Sequence, residues 1–326
     1  MSELVSVVMA TYNGAKYIDQ QIESILQQTY KNFELIIVDD ASTDNTIFHL
    51  QAYAAKDQRV KIHRNFRNFG VVKTFEKGLS LSVGEFIALS DQDDIFAVDK
   101  LEKQVKALKS APRSDLVVSD LRLIHSDGSE LSSSMWRYQE LKVKPGKPFC
   151  QLLYANFATG CATMFTRRLL AKALPFPPDC FIHDWWLSVL AASSWGGGIV
   201  LIPEPLTSYR QHGSNVIGAH SKTIRAGLKR VPPLKKRMIW YAECKARIAG
   251  YRTKDFWTAK ELSDLKKAEN VFFGFLADGS SSFTNRILRL PSRWHFAKEE
   301  SMVHLCGISL LTIFPRFVEN ILGRNE

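Results

Sequence analysis

The sequence has no apolar run long enough to cross a bilayer. Its best candidate, Met302–Phe314, falls short of the roughly 20 residues a spanning helix needs, and it contains His304. Cysteine is sparse. Cys150, Cys161, Cys180, Cys244 and Cys306 are odd in number and form no C-x-x-C pair. That argues against a disulfide scaffold and a zinc site, and for reduced thiols in a cytosolic setting. No secretory leader is expected, because Met1-Ser2-Glu3 runs straight into the strand-like Leu4–Met9. Internal repeats and low-complexity tracts are absent. So is a glycine-rich phosphate loop: the segment after the first apolar run, Ala10-Thr11-Tyr12-Asn13-Gly14-Ala15-Lys16-Tyr17, has one glycine.

What is present is ordinary in bulk and uneven in detail. The 326 residues are 45% hydrophobic and 23% charged, enough for one large or two modest domains with a full core. The net charge of +10 lies entirely in the C-terminal third. Residues 213–326 hold 20 Lys and Arg against 10 Asp and Glu, whereas residues 1–212 balance at 23 of each. Seven basic residues (Lys222, Arg225, Lys229, Arg230, Lys235, Lys236, Arg237) fall in one short stretch with no acid among them. Such asymmetry points to an anionic partner for that region.

Periodicity orders the first half as alternating strands and helices. Strands are expected at Val5–Met9, Leu35–Val38, Val60–His63 and Glu85–Leu89. Helices are expected from about Ile18, over Thr46–Ala55 and over Val72–Leu81, with a turn at Asn68-Phe69-Gly70. This order implies a doubly wound, mostly parallel, Rossmann-like α/β sheet. The second half is more mixed. Strands are expected at Asp115–Ser119, Cys161–Phe165 and Ile199–Ile202, the last followed by a Pro203–Pro205 turn. Helices are expected at Phe149–Ala155, Arg168–Ala173 and Asp184–Ala192, and helical patterns dominate from Ser221.

Two acidic clusters end two of the buried-looking strands: Asp39-Asp40, and Asp91-Gln92-Asp93-Asp94. Ligands of open α/β sheets bind beyond the carboxyl ends of the strands, so both clusters face one crevice. Half-buried carboxylates repel one another unless a cation joins them. Asp91-Gln92-Asp93 is a D-x-D at a strand end, suited to Mg²⁺ or Mn²⁺ that bridges to a diphosphate. The competing reading makes Asp93 or Asp94 the cap of a helix starting near Val98.

The segments VSVVMATYNG, FELIIVDDASTDNT, GEFIALSDQDDIF, HDWW and YRQHGSN, in this order, resemble glycosyltransferase family 2 over about residues 4–216. That family comprises inverting sugar-nucleotide transferases of the GT-A fold. The subgroup with SDQDD, HDWW and YRQHGSN resembles rhamnosyl- and hexosyltransferases of bacterial surface-polysaccharide assembly. The resemblance implies that Thr11, Tyr12 and Asn13 border the nucleotide base, Tyr12 by stacking. It implies that Asp40 selects uracil or thymine, that Asp91 lies near ribose and that Asp93 ligates the metal. Asp184 takes the place of the catalytic base, beside Trp185 and Trp186 as a sugar platform. A carboxylate there would deprotonate the acceptor hydroxyl opposite the leaving diphosphate, while the bland alternative is a helix cap. His212 would complete the metal shell and Arg210 would hold diphosphate oxygens. Asn68, Gly70 and Lys73 match a variable nucleotide-side loop. Asp39 reads as structural. The Q-x-x-R-W pattern of processive synthases is missing, which disfavours homopolymer synthesis.

The implied donor is a dTDP- or UDP-sugar, the acceptor a saccharide on a polyprenyl diphosphate, and the location peripheral, on the inner face of a bacterial plasma membrane. The expected division is a catalytic domain over 1–218, with halves meeting near 120, and a basic helical extension over 219–326 that binds an anionic membrane surface or packs on the core. Two rival classes remain. A sugar-nucleotide nucleotidyltransferase needs the missing glycine-rich loop. A nucleic-acid-binding protein is suggested by charge alone, without a recognisable motif and with an acidic crevice, so no nucleic-acid partner is expected.

Overall fold

The computed structural model describes residues 2–213, apart from positions 142, 155, 179 and 181, together with residues 257–277. The expected boundary near Gly218, the basic 222–237 stretch, the 302–314 segment, Cys244, Cys306 and the Ser214-Asn215 end of YRQHGSN lie outside the described residues.

The chain runs β1 (Val5–Thr11), α1 (Ile18–Leu26), β2 (Phe33–Asp39), α2 (Thr46–Lys56), β3 (Val60–Arg64), α3 (Val71–Leu81) and β4 (Phe86–Ser90). It continues through β5 (Ile95–Phe96), α4 (Lys100–Ser110), β6 (Leu116–His125), β7 (Glu130–Ser132), α5 (Met135–Tyr138), α6 (Phe149–Tyr154) and β8 (Thr163–Thr166). Last come α7 (Arg167–Ala173), α8 (His183–Ala192), β9 (Ile199–Gln211) and α9 (Ala259–Ala277). The strands form one sheet in the order β3-β2-β1-β4-β8-β6-β9-β5, with β7 paired to β6.

The β3-β2-β1-β4 half is wholly parallel, as the βαβα order requires. Strands β1, β2 and β4 are buried on both faces and so are continuously apolar, whereas the edge strand β3 alternates. Side-chain alternation sends Val8, Ile87 and Leu89 to one core with Phe75 and Leu79 of α3. It sends Val7, Met9, Leu35, Ile37 and Ala88 to the other, against Ile18 and Ile22 of α1 and Leu101 and Val105 of α4. Beyond β4 the sheet is mixed: β8 lies antiparallel to both β4 and β6, and β9 runs parallel to β6. The carboxyl ends of β1, β2 and β4 therefore lie side by side at the crest where the pairing pattern changes.

Two expectations change at the far half. The strand expected to stop at Ile202 continues as β9 to Gln211, through Pro203 and Pro205. The register against β6 jumps there, from Ser119↔Ile202 to Asp120↔Pro205, so the prolines sit at an irregularity where missing N–H groups break no regular ladder. The strand expected from Cys161 begins at Thr163, because Gly160–Ala162 forms a tight 3₁₀ turn. Trp257, just before α9, and Leu265 and Ala268 within it share the core of the α6–α8 layer.

Candidate active site

The first wall of the crest follows β1. Tyr12 is 45% exposed, and its backbone is clamped by Gln92, whose Oε1 accepts from Tyr12 N–H at 2.8 Å and whose Nε2 donates to Tyr12 O at 3.1 Å. The clamp leaves no room for a side chain at position 14, where a Cβ would fall 2.4 Å from Gln92 Oε1. Asn13 takes φ 51°, and its Oδ1 accepts from Thr43 N–H at 2.8 Å. Thr11 is buried, its hydroxyl donating to Asp39 Oδ1 at 3.2 Å, so it braces the wall rather than lining it. Asp39 is structural as expected: it also accepts from Ser42 and pairs with Arg64 at 3.3 Å.

Asp40 organises the second wall. It is buried, and its carboxylate accepts from Asn65 Nδ2 at 2.7 Å, Phe69 N–H at 2.9 Å and Gly70 N–H at 2.9 Å. Gly70 is at φ 85°, a conformation that favours glycine. In this arrangement Asp40 shapes the 65–70 loop that carries the exposed Asn68, whose Oδ1 accepts from Gly70 N–H. Lys73 is exposed one turn into α3 and pairs with Glu76 at 2.6 Å.

The floor is acidic. Asp91 is half-buried and Asp93 and Asp94 are buried. His212 Nε2 lies 2.6 Å from Asp93 Oδ2, and its ring stacks on Tyr17 with centroids 5.2 Å apart. The D-x-D residue and the late histidine are thus brought together across 119 residues. Neither acid caps the following helix, which starts at Lys100 with Asp99 before it. Asp94 Oδ1 accepts from Arg210 N–H at 3.0 Å, while its buried Oδ2 has no partner among the nitrogen and oxygen donors of the described residues. Ligand atoms of Asp91, Asp94 and Cys161 lie within 4.8 Å of one another. Burial first, then the neighbouring carboxylates, drive Asp91 and Asp94 upward from the ordinary carboxylate range. A carboxylate oxygen without a nitrogen or oxygen donor, among repelling carboxylates, is what a hard divalent cation would satisfy, so the Asp91 and Asp94 oxygens, though not the Cys161 thiol, fit Mn²⁺ or Mg²⁺.

Two sequence expectations are corrected here. Arg210 is buried, with Nε donating to Asp93 O at 2.8 Å, Nη2 to Gln20 Oε1 at 2.8 Å and Nη1 to Ser126 O at 3.3 Å. Its guanidinium also lies 4.7 Å from the Tyr17 ring centre. It locks β9 to the acidic turn and offers no fork to a diphosphate. Trp186 is wholly buried, its Nε1 donating to Ala173 O at 3.2 Å and its ring edge-on to Trp257. It is core, not a sugar platform: consecutive helix residues point about 100° apart, so Trp185 and Trp186 meet different surroundings. Trp185 is half-buried and its Nε1 donates to Leu152 O.

Asp184 stands in the first turn of α8, after the N-cap Ile182. It accepts from Gly160 N–H at 2.7 Å and Asn156 Nδ2 at 3.1 Å. Burial pushes its carboxyl up to about 7, against hydrogen bonds from Gly160, Trp185 and Asn156 that pull it down. A carboxylate held near neutrality suits a general base. Gly160, which holds it, directly precedes Cys161, whose thiol lies within 4.8 Å of the Asp91 and Asp94 oxygens, so Asp184 borders the acidic floor. Beside it His183 is buried against Phe75, ring centres 3.9 Å apart, and burial lowers it to about 3.

Several residues of the site were not singled out by sequence: Gln92, Cys161, Lys100, Asn156 and Gly160. Gln92 and Asn156 carry no local signal. Lys100 and Gln104 had one, since they sit four residues apart on the same face of α4 as the apolar Leu101, Val105 and Leu108.

A half-parallel sheet with an acidic, cation-suited crest and the buried Asp184 carboxylate beside it defines a GT-A glycosyltransferase. Residues 6–174, just over half the chain, match the family Glycosyl transferase family 2, and the chain belongs to that family. It is 29% identical over 228 residues to an uncharacterised glycosyltransferase of Haemophilus influenzae, covering 67% of this chain and 68% of the relative. It is 33% identical over 191 residues to the Escherichia coli UDP-Glc:alpha-D-GlcNAc-diphosphoundecaprenol beta-1,3-glucosyltransferase WfgD, covering 57% and 70%. The fold matches S. aureus TarS in complex with UDP-GlcNAc, with TM-score 0.59 and 18% identity over 83% of this chain and 73% of that one. It also matches the mannosyltransferase PcManGT of Pyrobaculum calidifontis in complex with GDP-Man and Mn²⁺, with TM-score 0.57 and 18% identity over 100% and 89%. The protein is a glycosyltransferase, a hexosyltransferase by family. Among the described residues no helix is long and apolar enough to cross a membrane.

Proposed function

We propose that this enzyme moves a hexose from a UDP- or dTDP-sugar to a saccharide carried on a polyprenyl diphosphate, inverting the anomeric carbon, in surface-polysaccharide assembly. The observation that carries the reading is Asp184: a buried carboxylate, fixed by two donors and held up to about 7, next to the acidic crest. In a single displacement one group takes the acceptor proton while the opposite face releases the diphosphate. Asp184 takes that proton. Tyr12 offers an exposed ring against which a pyrimidine can stack, and the loop held by Asp40 closes the nucleotide side. Asp93 with His212, and Asp91 with Asp94, are the groups that would hold Mn²⁺ or Mg²⁺. Such an ion would neutralise charge on the departing diphosphate.

The donor base and lipid-linked acceptor are favoured by the name of WfgD, a relative that uses UDP-Glc and a diphosphoundecaprenol acceptor. The positive excess of residues 213–326 favours a peripheral position at an anionic membrane surface. The test is transfer from radiolabelled UDP- and dTDP-hexoses to synthetic polyprenyl-diphosphate GlcNAc, with Mn²⁺, Mg²⁺ or EDTA. Metal-dependent label in the lipid fraction is expected. Donor hydrolysis alone, or full transfer in EDTA, would overturn the reading.

A further inference from the structure

Lys100 is the one wholly buried lysine among the described residues, and no role in the chemistry above uses it. Burial pulls its ammonium down to about 8, while the Asp94 charge nearby works the other way. Its Nζ donates to Cys161 O at 2.8 Å and lies 4.6 Å from the Phe96 ring centre. Cys161 is the middle residue of the Gly160–Ala162 turn, and every carbonyl of that turn is held. Thr163 Oγ1 donates to Gly160 O at 2.7 Å, and Thr207 Oγ1 joins Lys100 on Cys161 O at 3.0 Å. Gln104 Nε2 and Ser119 Oγ donate to Ala162 O at 2.8 and 3.3 Å.

The same turn reaches both halves of the site. Its first N–H is the donor on Asp184 Oδ2, and its thiol lies among the oxygens of Asp91 and Asp94. A buried cation gripping a three-residue turn is a costly device if the turn were only packing. We infer that Lys100 is a positioning residue: through the Gly160–Ala162 turn it fixes the N–H that holds the base and the wall of the acidic crest together. This rests on Asp184 being the base.

Removing the ammonium loosens the Gly160 N–H and takes a positive charge away. Both changes disfavour an ionised Asp184, so the acidic limb of turnover should move to higher pH. Other ionisable groups near Asp184 are Asp91 at the end of β4, His183 beside it on α8, and Cys180 ahead of α8. None of them is altered in the test.

The experiment compares Lys100→Gln, Lys100→Met and Thr207→Val with wild type. The readouts are the pH profile of kcat, KM for donor, and the Asp184 carboxyl titration by ¹³C NMR of aspartate-labelled protein without nucleotide. Lys100→Met should shift the limb and the NMR midpoint upward by about one unit. It should lower kcat at neutral pH about fivefold, with KM for the donor within about twofold. Lys100→Gln, which keeps a donor, should shift them less. Thr207→Val removes the second donor without touching charge and should shift them least. If Lys100→Met does not fold, the Gln and Val variants carry the test. A uniform loss of kcat with both midpoints unmoved overturns the inference and leaves Lys100 as packing. Full activity of Asp184→Asn would instead overturn the assignment of the base itself.

Discussion

Replacing Asp184 by Asn changes one oxygen to NH₂ at constant shape, and its surroundings determine the effect on both stability and rate. The carboxylate accepts from Gly160 N–H and Asn156 Nδ2, at 2.7 and 3.1 Å. An amide can satisfy one of those donors, and stranding the other costs about 1–3 kcal/mol. Against this, burial holds the Asp184 carboxyl near 7 rather than 3.8. Its folded-state pKa is raised, so the folded protein keeps a proton that the unfolded chain surrenders between about pH 4 and 7. Wild-type stability therefore falls as pH rises through that window. A gap of about three pH units makes the fall on the order of 4 kcal/mol. The Asn variant does not titrate. It should be less stable than wild type at pH 4 and as stable or more stable at pH 8, in urea unfolding. Its turnover should drop by about 10²–10⁴, the loss expected for a general base, with donor affinity nearly intact. Wild-type turnover, or urea midpoints that run parallel across pH, would refute the reasoning.

Substitutions elsewhere in the site have equally specific outcomes. Asp93→Ala breaks the contact with His212 and removes a cation ligand; calorimetry should show lost Mn²⁺-dependent UDP binding while the fold survives. Tyr12→Ala should weaken nucleotide binding by about 1–3 kcal/mol with an unchanged melting temperature, since the ring is exposed. Trp186→Ala should cost about 3–5 kcal/mol of stability by denaturant titration, because the indole is wholly buried against Trp257. Binding to anionic vesicles should fall as salt rises, and again when Lys229, Arg230, Lys235 and Lys236 become Gln; persistence through both changes would exclude a charge-driven contact.

The parts of this fold legible in sequence are those written locally. Continuous apolar runs at Val5, Leu35 and Phe86 gave buried parallel strands, and the acids at their ends fell on one crest as the strand-end rule requires. The meeting of Asp93 with His212 matched the pairing that family resemblance implied, but no spacing rule joins residues 119 positions apart. What stayed hidden depends on contacts between distant segments. Arg210 reads as a free cation until β9 carries it under the acidic turn, where Gln20 and the carbonyls of Asp93, His125 and Ser126 take its donors. Trp185 and Trp186 look equivalent in sequence, and only the helix phase separates a half-buried ring from a core one. Asp40 showed its charge but not its neighbours, Phe69 and Gly70, whose amides it binds. The Gly160–Ala162 turn was masked by an apolar run that reads as strand, and its grip by Lys100 is set by how α4 docks on the sheet.

The central claim is a single displacement at the anomeric carbon with Asp184 as base, and the anomeric configuration of the product tests it most directly. The product formed from an α-linked UDP-hexose should show a β linkage in its ¹H NMR coupling, and Asp184→Asn should form it at a rate lower by about 10²–10⁴. An α-linked product would contradict the account, as would inversion at an undiminished rate in the variant.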